Sequence, residues 1–158
     1  MKKVYKYRKK LHLEQGQFYL FKLYKKVESS DGVSYYVLID PFGNKHLAPA
    51  EHYLTYNLKI GSSYLCKIDK INCLGRIFIE PPHSFYKENK IYLFEFFKRI
   101  KEKHKSGNTY IYYIFLGENK YQAFLNTPNY NLPQYLKSGL HSFLVKTISK
   151  GKVYIDYC

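Results

Sequence analysis

Apolar and polar residues alternate along most of the chain. Over residues 18–27, Tyr19, Phe21 and Leu23 fall on one face and Leu20, Lys22, Tyr24 and Lys26 on the other. That period of two is the mark of a β-strand. A turn follows at Ser29-Ser30-Asp31-Gly32, and residues 35–40, rich in aromatic and β-branched side chains, predict a second strand. Pro41-Phe42-Gly43-Asn44 turns the chain into a third strand at 45–48. Residues 49–57 lose the alternation, and Pro49-Ala50-Glu51-His52 reads as the first turn of a short helix. Tyr64, Cys66 and Ile68 alternate inward on a fourth strand. After Asn72-Cys73-Leu74-Gly75, Ile77 and Ile79 do the same on a fifth.

The pattern then repeats. Residues 18–27 match 91–100 at four identical positions, and most of the others keep their character. Asn44-Lys45-His46-Leu47-Ala48 matches Asn119-Lys120-Tyr121-Gln122-Ala123, Leu58-Lys59-Ile60-Gly61 matches Leu136-Lys137-Ser138-Gly139, and 76–80 matches 152–156. The offsets of 73, 75, 78 and 76 keep their order, and each change falls in a turn-like segment, where insertions are tolerated. The chain reads as a tandem duplication of a unit of about 70 residues. The second unit predicts strands at 91–100, 109–116, 120–125, 142–148 and 152–157.

Five strands with an irregular connector between the third and fourth is the strand plan of an OB-fold barrel; an SH3-like barrel usually lacks that connector. The predicted fold is all-β, two tandem five-stranded OB-fold-like barrels. Residues 1–12 form a basic arm, 13–84 the first barrel and 85–158 the second. The joint is Pro81-Pro82-His83-Ser84-Phe85-Tyr86, where two prolines forbid a continuing ladder.

Charge narrows the class further. The 158 residues hold 26 Lys and Arg against 12 Asp and Glu, a net charge of +14, so an acidic or polyanionic partner is expected. No apolar stretch approaches the roughly 18 residues of a membrane span, and no apolar run follows the basic start. A soluble, cytoplasmic protein is expected, its three cysteines reduced. Cys66 reads as a small core residue and Cys73 as a turn residue that could be exposed.

The first unit also resembles an S1-type RNA-binding domain. It has Tyr36-Val37 on the second strand and Gly43-Asn44-Lys45-His46 across the turn into the third. The likeness extends to Gly61, the strand at 67–71 and Gly75-Arg76-Ile77. It covers most of residues 17–80. The resemblance implies single-stranded RNA binding, with Tyr36 and His46 as stacking residues. The second unit departs from the pattern, with Ile111 for Tyr36, Glu118 for Gly43 and Tyr121 for His46.

Catalysis finds little support in the residues. The twelve acids are scattered, the six histidines show no metal-ligand spacing, and no nucleotide-binding or hydrolase motif is present. No enzyme activity, metal or cofactor is expected. Binding of single-stranded RNA or DNA has the two things it needs, cations for phosphate and flat rings for unstacked bases. An OB barrel presents its second and third strands for this. Those strands carry Tyr35, Tyr36, Lys45 and His46, with Phe42 in the turn and Arg76 opening the fifth strand. The second unit offers Tyr110, Tyr112, Lys120 and Tyr121, and a basic cluster that includes Lys98 and Arg99. Residues 35–39 are apolar on both faces, so the pattern alone does not say which Tyr points outward. A protein-interaction module with exposed aromatics as anchors is the alternative.

Overall fold

A computed structural model of the chain describes residues 12–126 and 131–158. The basic arm expected at 1–12 lies outside them, apart from His12. The protein is all-β, with two five-stranded sheets. The first comprises β1 (Phe18–Glu28), β2 (Ser34–Ile39), β3 (Lys45–Pro49), β4 (Ser63–Ile71) and β5 (Ile77–Glu80). The second comprises β6 (Ile91–Lys103), β7 (Thr109–Leu116), β8 (Gln122–Asn126), β9 (Leu140–Ser149) and β10 (Lys152–Tyr157). Between the third and fourth strands of each set lies a 3-10 segment, Ala50–Tyr56 and Gln134–Lys137 respectively.

Strand order is shared. The first sheet runs β3-β2-β1-β4-β5, and the second repeats that order as β8-β7-β6-β9-β10. In the second set β10 pairs antiparallel with β9 and parallel with β8, through Val153–Ala123, Tyr154–Phe124 and Ile155–Leu125, so the pairings form a ring. The first set differs from the expected barrel: it is a sheet with β3 and β5 as its two ends. β5 is only four residues long and runs into Pro81-Pro82, which donate no N–H. Its start is also held in the turn from β4, where Asn72 Oδ1 accepts from the backbone N–H of Leu74 at 3.0 Å and of Arg76 at 2.8 Å.

The duplication is visible in the irregularities. A bulge between Leu23 and Lys25 on β1 recurs between Phe96 and Lys98 on β6. The match at the β2–β3 turn, however, needs correcting by two residues. In the first turn Asp40 N–H bonds to Asn44 O and Gly43 N–H to Asp40 O; in the second, Gly117 N–H bonds to Tyr121 O and Lys120 N–H to Gly117 O. Gly43 at φ +86° and Lys120 at φ +58° thus hold the same left-handed place. Asp40 corresponds to Gly117, Asn44 to Tyr121, and His46 to Ala123. The shared Asn-Lys pair misaligned the sequences because this turn tolerates Lys where glycine is usual.

The chain divides into two compact units. One holds the described residues up to Ala50 together with Lys59–Pro81; the other holds Glu51–Leu58 and Pro82–Cys158. The first is filled by Phe21, Leu23, Leu38, Cys66 and Ile68, each at most 1% exposed. The second is filled by Phe94, Phe115, Ala123, Leu125, Phe143, Val145 and Val153. These residues alternate along their strands, so the period of two seen in the sequence is the burial pattern itself.

Candidate nucleic-acid interface

In the first unit, residues distant in sequence meet at a groove of about 520 Å³. Its lining is Tyr35 from β2, Lys45, His46 and Leu47 from β3, and Gly75, Arg76 and Ile77 from the entry to β5. β3 and β5 are the two ends of the sheet. In the second unit the positions matching His46 and Ile77 are Ala123 and Val153, which pair directly.

Both cations at this groove are steadied by rings. Lys45 Nζ lies 5.1 Å from the centroid of Tyr24, and the Arg76 guanidinium carbon 5.1 Å from that of Phe78. Such contacts position the charge and leave it available to an anion. Arg76 and Lys45 are both exposed.

His46 is held more tightly. Its Nε2 lies 2.9 Å from Asp40 Oδ2, and its ring stands edge-on to Phe21 at 5.9 Å. Asp40 is almost fully buried. Oδ1 accepts from the backbone N–H of Phe42 at 2.8 Å and of Asn44 at 2.9 Å, and Oδ2 also accepts from Asn44 Nδ2 at 3.2 Å. Burial alone would push this carboxyl up, but hydrogen bonds from His46, Asn44 and Phe42 outweigh it and hold it below its ordinary value. Asp40 is therefore an anion in the folded state. The His46 side chain is only 15% exposed, so it offers the groove an edge rather than a broad stacking face.

The remaining expected residues fare differently. Tyr36, 9% exposed, is part of the buried run Tyr36-Val37-Leu38; the expectation that it is a stacking platform is corrected. A ring so covered offers no open face to a base. Phe42 is exposed in the turn at 40%. Tyr112 is also buried at 9%, edge-on to Phe124. Lys98 and Arg99 are exposed in mid-β6, opposite Ile114 and Tyr113. Lys120 and Tyr121 lie beyond the end of β7. Tyr121 is half-buried, its hydroxyl 3.0 Å from Ser84 Oγ and its ring 5.0 Å from His83. The structure thus brings Lys45, His46 and Arg76 together and disperses the rest.

Two participants escaped the sequence reading. Asp40 was one of the scattered acids, although Asp40-x-x-x-Asn44-x-His46 carries the spacing of a side chain folded back on its own turn. Tyr24, on the outer face of β1, gave no signal at all. Among the described residues no three His, Cys, Asp or Glu side chains gather as a metal site, and no helix is long and apolar enough to cross a membrane. Comparison with protein-family models, curated proteins and solved structures finds no match.

Proposed function

We propose that the protein is a non-catalytic, single-strand nucleic-acid-binding protein of the OB-fold class, its first unit S1-like and RNA its natural ligand. One observation carries this reading: Lys45, His46 and Arg76 converge on one groove with Tyr35 on its wall. Lys45 and Arg76 would take phosphates, and Tyr35 and the exposed Phe42 would offer rings to unstacked bases. The strand order with a parallel closing pair, β8 beside β10, supports the OB assignment. The net charge of +14 supplies long-range attraction. All three cysteines are free thiols, which suits the reducing cytoplasm.

The test is fluorescence anisotropy with a labelled single-stranded RNA of about 20 nucleotides at several salt concentrations, with duplex as competitor. Binding that weakens steeply with salt and prefers the single strand supports the proposal. No binding at low salt ends it.

A second reading, a protein-interaction module, draws on a different face. Phe18, Leu20 and Leu65 are each 56% exposed, and Leu20 pairs directly with Leu65 across β1 and β4. Serine at Leu20 and Leu65 should then abolish partner capture while leaving RNA affinity unchanged.

A further inference from the structure

Resting on the nucleic-acid reading above, we infer that Asp40 fixes the tautomer of His46 so that His46 Nδ1 accepts a hydrogen bond from a ribose 2′-hydroxyl, making the groove selective for RNA over DNA. An ionised carboxylate only accepts hydrogen bonds, so the 2.9 Å contact requires His46 Nε2 to carry the proton and donate. In the neutral imidazole the other nitrogen then bears a lone pair. Nδ1 has no hydrogen-bond partner among the described residues, and His46 lines the groove.

The charged groups that share the groove with His46 are donors. Lys45 and Arg76 present N–H groups, which suit phosphate oxygens. An acceptor nitrogen in a groove that also holds two phosphate-binding cations needs a donor on the same backbone. A single strand's sugar–phosphate backbone offers one only in RNA, the 2′-hydroxyl. Bases carry donors too, but these change with sequence, whereas the 2′-hydroxyl recurs at every nucleotide. Asp40 is a positioning residue here, acting through His46, and four hydrogen bonds hold it in place. The second unit has Gly117 and Ala123 at these two places, so the device exists in one unit only.

The experiment titrates the full chain with one labelled sequence of A and C, about 20 nucleotides long, as RNA, as DNA and as 2′-O-methyl RNA. The methylated strand keeps the oxygen and loses the proton. RNA should bind about tenfold more tightly than either of the others, the worth of one well-made hydrogen bond. His46→Phe should bring the ratio of RNA to DNA affinity close to one. In the free protein, nitrogen chemical shifts of His46 should report Nε2–H. Asp40→Asn, whose amide can donate to Nε2, should move the ring toward Nδ1–H and shrink the RNA preference. Equal binding of RNA and DNA overturns the inference and leaves the nucleic-acid reading standing. An RNA preference that survives in 2′-O-methyl RNA or in His46→Phe overturns it as well. Failure to bind either strand overturns both. Should Asp40→Asn misfold, the 2′-O-methyl and His46→Phe arms decide.

Discussion

The hydroxyl oxygen of Tyr86 lies 1.6 Å from where a Cβ on Gly117 would stand. Gly117 is the counterpart of Asp40, so a ring from the joint fills space beside the position that holds a carboxylate in the first unit. That hydroxyl is buried and has no hydrogen-bond partner among the described residues. Burial, with weaker contributions from Tyr92, Glu118 and Tyr121, pushes its pKa to about 12, so the proton stays on.

Gly117→Ala should therefore destabilise the second unit by about 1–3 kcal/mol, the usual cost of forcing an atom into a filled core. Tyr86→Phe should stabilise it by about 1 kcal/mol, since an orphaned buried hydroxyl is removed. The double variant should lose less than the sum of the two effects, because the shortened ring relieves part of the clash. Urea unfolding of the four proteins reads all three expectations.

Charge and ring contacts at the groove are separable by salt. Lys45→Gln and Arg76→Gln should each reduce the slope of log affinity against log salt by about 0.7, one released counterion per single-strand phosphate. Tyr35→Ala should weaken binding by about 1–3 kcal/mol with the slope unchanged. Lys98→Gln, on a strand of the other unit, should change RNA affinity less than either groove substitution.

Acid should weaken the second unit before it weakens the carboxylates. His83 Nδ1 accepts from the backbone N–H groups of Phe85 and Tyr86, both at 3.0 Å, and burial brings its pKa down to about 4. An unfolded histidine titrates near 6.5, so between about pH 6.5 and 4 the unfolded chain binds a proton that the folded chain refuses. Stability is then full above pH 6.5 and falls on acidification by at most about 1.4 kcal/mol per pH unit. His52, lowered chiefly by burial, adds in the same direction. Melting temperatures at pH 7 and 4.5 should differ, and His83→Asn, which keeps an acceptor but cannot titrate, should narrow the gap.

Thiol reactivity should divide two to one. Cys66 is fully buried, and burial, with the nearby Glu80 charge, pushes its thiol to about 12. Cys73 and Cys158 are exposed. Iodoacetamide at pH 8 should label the latter two in the native protein and reach Cys66 only after unfolding.

Most strands were legible because each buries one face, which writes itself as alternation. β2 was an exception, as was β7, buried without a break from Ile111 to Phe115. Tyr36, Val37 and Leu38 are all buried, so their order carried no direction, and the choice of Tyr36 as a platform failed there. Lys45, His46 and Arg76 were found by residue type and strand position. Their convergence was not legible, because it depends on where β5 stops relative to β3. Asp40 was missed because a sequence does not show that a carboxylate is buried. Lys120 and Tyr121 were chosen through an alignment that Lys120, in its left-handed turn, had displaced by two.

The grouping of Glu51–Leu58 with Pro82–Cys158 also has a consequence for the order of events on the ribosome. These eight residues emerge between the third and fourth strands of the first repeat, well before the rest of their unit has been made. The backbone carbonyl of His52 lies so close to Gly151 that a side chain there would collide with it, 2.0 Å from the Cβ position. That contact joins residues made about a hundred positions apart, a long loop to close. A nascent chain halted at Pro81 has all five strands of its first sheet, yet the segment between the third and fourth still waits for neighbours encoded near the end of the message.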